Sequence, residues 1–145
     1  MSTLTANVKT RVDVLGFCVE VRRCAQHSGL DARRTGELLL VVSELGTNAA
    51  LHGNGGALTV VVTHTGWQVS AVDAGPGFTP AVLADAGRSD RLGRDGVRQP
   101  ADGGRSFGSG LATVRRLSTS FTLQNAPRGA QAFAARDFSN SQGAV

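Results

Sequence analysis

The 145-residue sequence has only two cysteines and no long hydrophobic run. The longest uninterrupted apolar stretch, residues 38–42, is far shorter than the roughly 20 residues of a membrane-spanning helix. The first residues lack the basic start and apolar stretch of an export signal, so we expect a cytoplasmic protein. Cys18 and Cys24 lie six residues apart, which on a helix separates them by about 9 Å, and no CxxC motif is present. Neither a disulfide nor a zinc site is expected.

Composition places the chain among soluble globular proteins of one domain, residues 1–145, with 41% apolar and 18% charged residues. The net charge is +4, and fourteen of the fifteen basic residues are arginine. The densest arginines, between residues 88 and 105, alternate with aspartates instead of forming a basic stripe. This pattern predicts no nucleic-acid binding.

Hydrophobic periodicity and turn residues predict an α+β fold, a two-layer sandwich with helices on one face of a mixed, mainly antiparallel sheet. The expected strands are 8–12, 57–64, 67–72, 121–125 and 130–136. The expected helices are 14–28 capped by Asp13, a second from Asp31 to about His52, 80–86, and 111–117 opened by Gly110. Residues 87–107 contain five glycines, a proline and alternating charges, which is typical of a functional lid. The tail 139–145 is expected to fray.

The second predicted helix carries two polar residues, Glu44 and Asn48, among mostly apolar ones. A spacing of four places them on one helical face, and His52 continues the line. Unpaired burial of such groups costs a few kcal/mol, so they are either paired, serve a ligand, or form the polar edge of an amphipathic helix. In the ligand case, Asn48 offers a hard oxygen to Mg²⁺ and Glu44 acts as a general base.

Two glycine-containing segments follow. Asp73 ends an apolar strand, and Gly75 and Gly77 flank a proline in a turn without bulky side chains. A carboxylate there can accept a hydrogen bond from an exocyclic amine such as that of adenine, or it can simply be solvated.

The second segment, Gly108-Ser109-Gly110, leads directly into a helix, where backbone N–H groups and the helix dipole favour phosphate. It is neither a Walker A loop nor a dinucleotide fingerprint. Alone it is a weak signal, but the three features together supply every part of an ATP site.

The chain resembles the GHKL (Bergerat-fold) ATPase superfamily. Segment 43–53 (SELGTNAALHG) resembles its N box, segment 73–78 (DAGPGF) its G1 box and segment 108–111 (GSGL) its G2 box. Within the group it is most similar to the anti-sigma-factor serine/threonine kinases, and closest to the stressosome switch-protein kinases, through segment 110–117 (GLATVRRL). The likeness extends over roughly residues 8–138 and implies an ATP lid at about 79–107.

The resemblance implies a role for each motif residue. Asn48 is the expected Mg²⁺ ligand, and Glu44 the catalytic base. Asp73 is expected to bind adenine, with Gly75 and Gly77 shaping the pocket. The expected phosphate-binding residues are Gly108, Ser109, Gly110 and Leu111. The family usually carries a Gly-Thr pair on the last strand, but here Ala130 follows Gly129. Loss of that hydroxyl is expected to weaken nucleotide binding by about 1 kcal/mol.

The implied function is an ATP- and Mg²⁺-dependent protein serine/threonine kinase. Its implied acceptor is a STAS-domain antagonist (anti-anti-sigma) protein, and its second partner a sigma factor or regulatory phosphatase, with no membrane contact. The alternative is an ATP-binding interaction module, an anti-sigma factor with little or no transfer. A sensor histidine kinase domain is disfavoured, because no helical hairpin with a phosphoacceptor histidine precedes the first strand. Both monomer and homodimer remain open.

Overall fold

The computed structural model describes residues 1–85 and 108–139 of the chain. Its strands are β1 (Ser2–Val8), β2 (Gly56–Thr63), β3 (Gly66–Asp73), β4 (Ser120–Asn125) and β5 (Ala130–Asp137). Its helices are α1 (Arg11–His27), α2 (Ala32–Thr47), α3 (Pro80–Asp85) and α4 (Gly108–Leu117), and a π-helical turn (Asn48–His52) continues α2. The lid predicted at 79–107 lies, from residue 86 onward, outside the described residues, as does the tail after Ser139.

The strands form one five-stranded sheet in the order β1-β2-β3-β5-β4. All four pairings are antiparallel, so the described sheet contains none of the parallel pairing that a mixed sheet would have. The α+β class and the placement of helices on one face are confirmed.

One face of the sheet is buried and the other is open. A representative apolar row runs across all five strands through Leu4, Val60, Val69, Ala134 and Phe121, fully buried on the three central strands and partly buried on the two edge strands. The neighbouring row on the other face is mostly polar and at least partly exposed: Thr5, Thr59, Ser70, Phe133 and Thr122. Helices α1 and α2 cover the apolar face with Val14, Phe17, Val21, Leu38, Val42 and Leu45. The period-2 alternation of each strand therefore fixes which face receives the helices.

The first strand and the first helix begin earlier than the sequence predicts. The strand is Ser2–Val8, and α1 starts at Arg11 with Thr10, not Asp13, as its N-cap. Asp13 is the third helical residue, and its carboxylate accepts from the Thr10 N–H at 3.1 Å while Thr10 Oγ1 accepts from the Asp13 N–H at 3.2 Å. This reciprocal capping box starts the helix three residues before the predicted position.

The remaining elements match their predictions closely. Asp31 caps α2 through its side chain, which accepts from the Arg34 N–H at 2.8 Å. Strands β2 to β5 each agree with the predicted bounds to within one residue. Helix α4 begins at Gly108, two residues before Gly110. Among the described elements, the π-helical turn at the end of α2 is the one whose type the sequence did not predict.

Candidate functional site

An open cleft lies between the end of α2, the end of β3 and the start of β5. Its lining is Leu45, Asn48, Ala49, His52, Gly53, Ala71, Asp73, Gly77, Phe78, Ala130 and Ala132. Most of these residues are small or apolar, and three of them carry polar side chains. A concave apolar site with a few convergent polar groups is the usual form of a small-molecule site.

The π-helical turn that ends α2 lies along the cleft. Its defining bond joins the Gly53 N–H to the Asn48 carbonyl at 3.1 Å, five residues back. Single π-turns inside helices occur often at functional sites. Here the turn brings Asn48, Ala49, His52 and Gly53 to the cleft, while Leu51 points outward. The π-turn therefore places one face of this helix end along the cleft.

Asn48 presents an unsatisfied amide. Its Nδ2 atom is buried and has no hydrogen-bond partner among the described residues. A buried polar atom without a partner costs about 1–3 kcal/mol, so its occurrence in a native fold needs an explanation. A polar ligand in the cleft would satisfy it.

Asp73 lies at the last position of β3 on the helix-covered face, where it pairs with Gly56 and Ala130. Its Oδ1 accepts from the Gly75 N–H at 2.9 Å. Burial raises the pKa of Asp73, while the backbone N–H groups of Gly75 and Ala130 partly oppose the rise. The carboxylate is thus fixed by the backbone and partly desolvated, which strengthens any hydrogen bond it makes to a ligand.

Close backbone approach shapes the floor beside Asp73. A Cβ on Gly75 would lie 2.6 Å from the Gly53 Cα, and a Cβ on Gly53 would collide with the Asp73 carboxyl group. Side chains at these two positions would fill the space next to the carboxylate. The two glycines, one from each half of the site, keep that space open.

Gly77 and Phe78 continue the wall of the cleft. Gly77 has a φ of +85°, which favours glycine, and a Cβ there would lie 2.8 Å from Asn125 Oδ1. Asn125 Oδ1 accepts from the Phe78 N–H at 2.8 Å, and Asn125 Nδ2 donates to the Phe78 carbonyl at 3.0 Å. The wall is therefore held by a residue from the end of β4.

Glu44 lies one turn before Asn48 on the same helix and packs against the start of α4. A Cβ at Gly110 would collide with Glu44 Oε1, so the carboxylate occupies the space that glycine leaves. Burial raises the pKa of Glu44, and the positive charge of Arg11 partly opposes the rise. A carboxyl group with a raised pKa next to a helix N-terminus is a suitable general base candidate.

The structure brings most of the predicted residues to one region. Asn48, Asp73 and Gly77 line the cleft, Gly75 lies beneath Asp73, and Glu44 touches Gly110. Gly108, Ser109 and Gly110 form the first turn of α4. The Leu111 side chain is only 1% exposed and belongs to the core, so only its backbone can meet a ligand.

Three cleft-lining residues, His52, Gly53 and Phe78, and the neighbouring Asn125 were not among the site residues that the sequence predicted. His52 had a usable signal, its spacing of four from Asn48. Asn125 had none, because it lies 47 residues from its partner Phe78.

In residues 1–85 and 108–139, no group of three or more histidine, cysteine, aspartate or glutamate side chains is placed to hold a metal ion. No helix in this part of the chain has the length and apolar character needed to cross a bilayer.

One family model covers most of the chain. The model of the family described as histidine kinase-like ATPase domain matches residues 9–133. No curated protein sequence gives a significant match.

Several solved structures share the fold. The RsbU and RsbW domains of Rv1364c from Mycobacterium tuberculosis match with a TM-score of 0.63 at 14% identity, over 94% of this chain and 32% of theirs. A chain of the SiaB–SiaC complex from Pseudomonas aeruginosa matches with a TM-score of 0.61 at 15% identity, over 91% and 89%. The mycobacterial sensor histidine kinase MprB matches with a TM-score of 0.55 at 16% identity, over 92% of this chain and 97% of its own. This chain thus spans about a third of the first of these proteins.

Proposed function

The chain belongs to the histidine kinase-like ATPase domain family, and on that premise we propose that it is an ATP-dependent protein serine/threonine kinase of the anti-sigma or stressosome-switch type. This family membership confirms the resemblance to the GHKL superfamily that the three motifs indicated. The observation that carries the proposal is the convergence of Asn48, Asp73 and Gly77 on one cleft, with Glu44 against Gly110 one helical turn away.

The residues present fit an adenine nucleotide. Asp73 offers a fixed, partly desolvated acceptor beside a glycine-lined floor, which suits an exocyclic amine. The N-terminal turn of α4 supplies backbone N–H groups for phosphate at Gly108, Ser109 and Gly110. The unpaired amide of Asn48 fits a polar ligand in the cleft. We therefore assign adenine to Asp73 and phosphate to the start of α4.

Magnesium would be held by Asn48 together with the nucleotide, because Mg²⁺ is usually bound by one or two protein oxygens plus substrate phosphates. The amide oxygen of Asn48 is a hard donor of this kind. When bound, Mg·ATP supplies the phosphoryl group that passes to the acceptor hydroxyl oxygen as the bond to ADP breaks. Glu44 takes the proton of that hydroxyl on a carboxylate oxygen, and the α4 N-terminus orients the phosphates.

We further propose that the acceptor is a serine or threonine of a STAS-domain antagonist protein in the cytoplasm, and that a sigma factor or regulatory phosphatase is the second partner. This is supported by the family resemblance of the motifs. It is also supported by shared folds, since one similar structure contains RsbU and RsbW domains together and another is a SiaB–SiaC complex.

Incubation of the protein with γ-labelled ATP, Mg²⁺ and its cognate STAS-domain protein tests the proposal. We expect label on a serine or threonine of the STAS protein, and none when EDTA removes Mg²⁺. Binding of both ATP and the STAS protein without transfer of label would instead establish the alternative, an ATP-binding interaction module.

That alternative is favoured by one observation. Ala130 lines the cleft and pairs with Asp73, at the position where the family usually has a threonine hydroxyl. A kinase with weak nucleotide affinity, or a module that uses ATP only to shape a docking surface, is compatible with that substitution.

Replacing Ala130 by threonine should restore the hydroxyl beside Asp73. We expect Ala130→Thr to tighten ATP binding about fivefold, the equivalent of about 1 kcal/mol for one hydrogen bond. The measurement is calorimetric titration with Mg·ATP. Ala135→Thr, on the open face of the same strand, controls for the effect of threonine on the strand itself and should leave affinity unaltered. Weaker binding by the first variant would show that this wall has no room for a hydroxyl.

A further inference from the structure

Asn125 makes an unusual pair of bonds for a side chain at the end of a strand. It accepts from the Phe78 N–H at 2.8 Å and donates to the Phe78 carbonyl at 3.0 Å. Two residues of paired antiparallel strands exchange the same two bonds. The amide of Asn125 therefore bonds both backbone polar groups of Phe78, as a peptide group of a paired strand would, and ties the end of β4 to the segment that follows β3.

The position of Asn125 is set by the hairpin that ends in the cleft. It is the last residue of β4 and pairs with Ala130, which in turn pairs with Asp73. The connection 126–129 is closed by a bond from the Ala126 N–H to the Gly129 carbonyl at 3.0 Å. Asn125 thus lies in the same cross-strand row as Asp73, two strands away.

Gly77 gives Asn125 the space it needs. A Cβ at Gly77 would approach Asn125 Oδ1 to 2.8 Å and Asn125 Cγ to 3.0 Å, closer than ordinary contact. The φ of +85° at Gly77 turns the chain so that both polar groups of Phe78 face the amide. Gly77 and Asn125 therefore act together to fix the position of Phe78.

We propose that Asn125 is a positioning residue for nucleotide binding: it holds Gly77 and Phe78 as a wall of the cleft and thereby sets the affinity for the base. The inference rests on the proposed ATP site and adds to it a residue outside the three motifs. Gly77 and Phe78 line the cleft with Asp73, the assigned adenine ligand. The effect should therefore act on the base and be the same for ATP and ADP, with or without Mg²⁺.

Asn125 is an exposed residue, so its replacement should leave the core intact. We expect Asn125→Ala to raise the Kd for ATP and for ADP by an equal factor, about five- to tenfold, through the loss of two hydrogen bonds that order the wall. Asn125→Asp keeps the acceptor for the Phe78 N–H but sets a second acceptor against the Phe78 carbonyl, so it should raise both Kd values at least as much as Asn125→Ala. Gln124→Ala is the matched control, because Gln124 is exposed on the same strand and bonds to Gln131.

Three readouts separate positioning from a general structural role. KM for ATP should rise in Asn125→Ala, while kcat at saturating ATP stays within about twofold, since uniform binding is lost. Amide hydrogen exchange at Phe78 should accelerate without any ligand. Combination with Gly77→Ala should be less than additive in nucleotide affinity, because both changes disturb the same contact.

The outcomes are distinct for the two proposals. Wild-type nucleotide affinity in Asn125→Ala, or a loss equal to that in Gln124→Ala, would overturn the role of Asn125 while leaving the ATP site in place. A lower kcat with unaltered KM would overturn it as well. Absence of nucleotide binding by the wild type would instead refute the ATP site, and the exchange rate of the Phe78 amide would still report whether the contact exists.

Discussion

Glu44→Gln should reduce phosphoryl transfer to the protein acceptor by about a hundredfold or more, the range expected for loss of a general base. Glutamine has nearly the same shape, so the packing against Gly110 is kept, but its amide cannot take up the hydroxyl proton. Affinity for Mg·ATP should stay within about twofold, because Glu44 is assigned no contact with the nucleotide. Single-turnover transfer from labelled ATP, with affinity measured separately, is the test.

Glu37→Gln is the matched control for that variant. Glu37 lies on the same helix seven residues earlier and bonds to Arg33 at 3.4 Å, away from the cleft. Its replacement should leave transfer unaltered. Transfer by Glu44→Gln at the wild-type rate would remove Glu44 from the proposed chemistry.

Glu44→Gln, although it slows phosphoryl transfer, should raise the free energy of unfolding at neutral pH. Burial raises the pKa of Glu44 in the folded state above its unfolded value. The folded protein therefore binds more protons between these two values, and this group makes the free energy of unfolding fall as the pH rises through that window. Glu44→Gln removes this penalty. Urea unfolding should give a higher midpoint for the variant than for the wild type at pH 7, and the difference should narrow at pH 4.

Asp73→Asn should weaken ATP binding roughly 10- to 100-fold, since a hydrogen bond to a charged group contributes about 1.5–3 kcal/mol. The asparagine NH₂ group would also face the donor amine of the base. The fold should persist, because burial already disfavours the charged form of Asp73 and raises its pKa. Calorimetric titration checks the affinity.

Asp137→Asn is the control for this second variant, because Asp137 is exposed at the far end of β5 and bonds to Ser139. It should bind ATP as the wild type does. Equal affinity in Asp73→Asn and the wild type would show that the base does not contact Asp73.

Local signals in the sequence were sufficient for most of the fold. The hairpin of β2 and β3 has three consecutive valines in its first strand and two separate valines in its second, on either side of a tight turn. The Asp31 cap lies directly before its helix, so each prediction used residues close in the chain. The predicted start of α1 was wrong. Thr10 and Asp13 belong to one capping box and both are suitable N-cap residues, but the structure has Thr10 as the cap. The π-turn was not predicted, because its residues fit an α-helical pattern equally well.

In the site as well, residues within short motifs were predictable and long-range contacts were not. Asn48, Asp73 and Gly77 were predicted from short motifs, and the structure places them on one cleft. The contact of Glu44 with Gly110 joins segments far apart in the chain, which only the motif order suggested. Asn125 could not be predicted, because a single asparagine at a strand end carries no motif and its partner depends on how the sheet is assembled.

The most direct test of the account is to titrate ¹⁵N-labelled protein with Mg·ATP and follow the backbone amide resonances. The largest shifts should fall on residues 48–53, 73–78 and Ala130, which include much of the cleft lining, and on residues 108–111 at the start of α4, the proposed phosphate site. Shifts confined to the open face of the sheet, at residues such as Ser70 and Phe133, would contradict it. So would the absence of shifts at millimolar nucleotide.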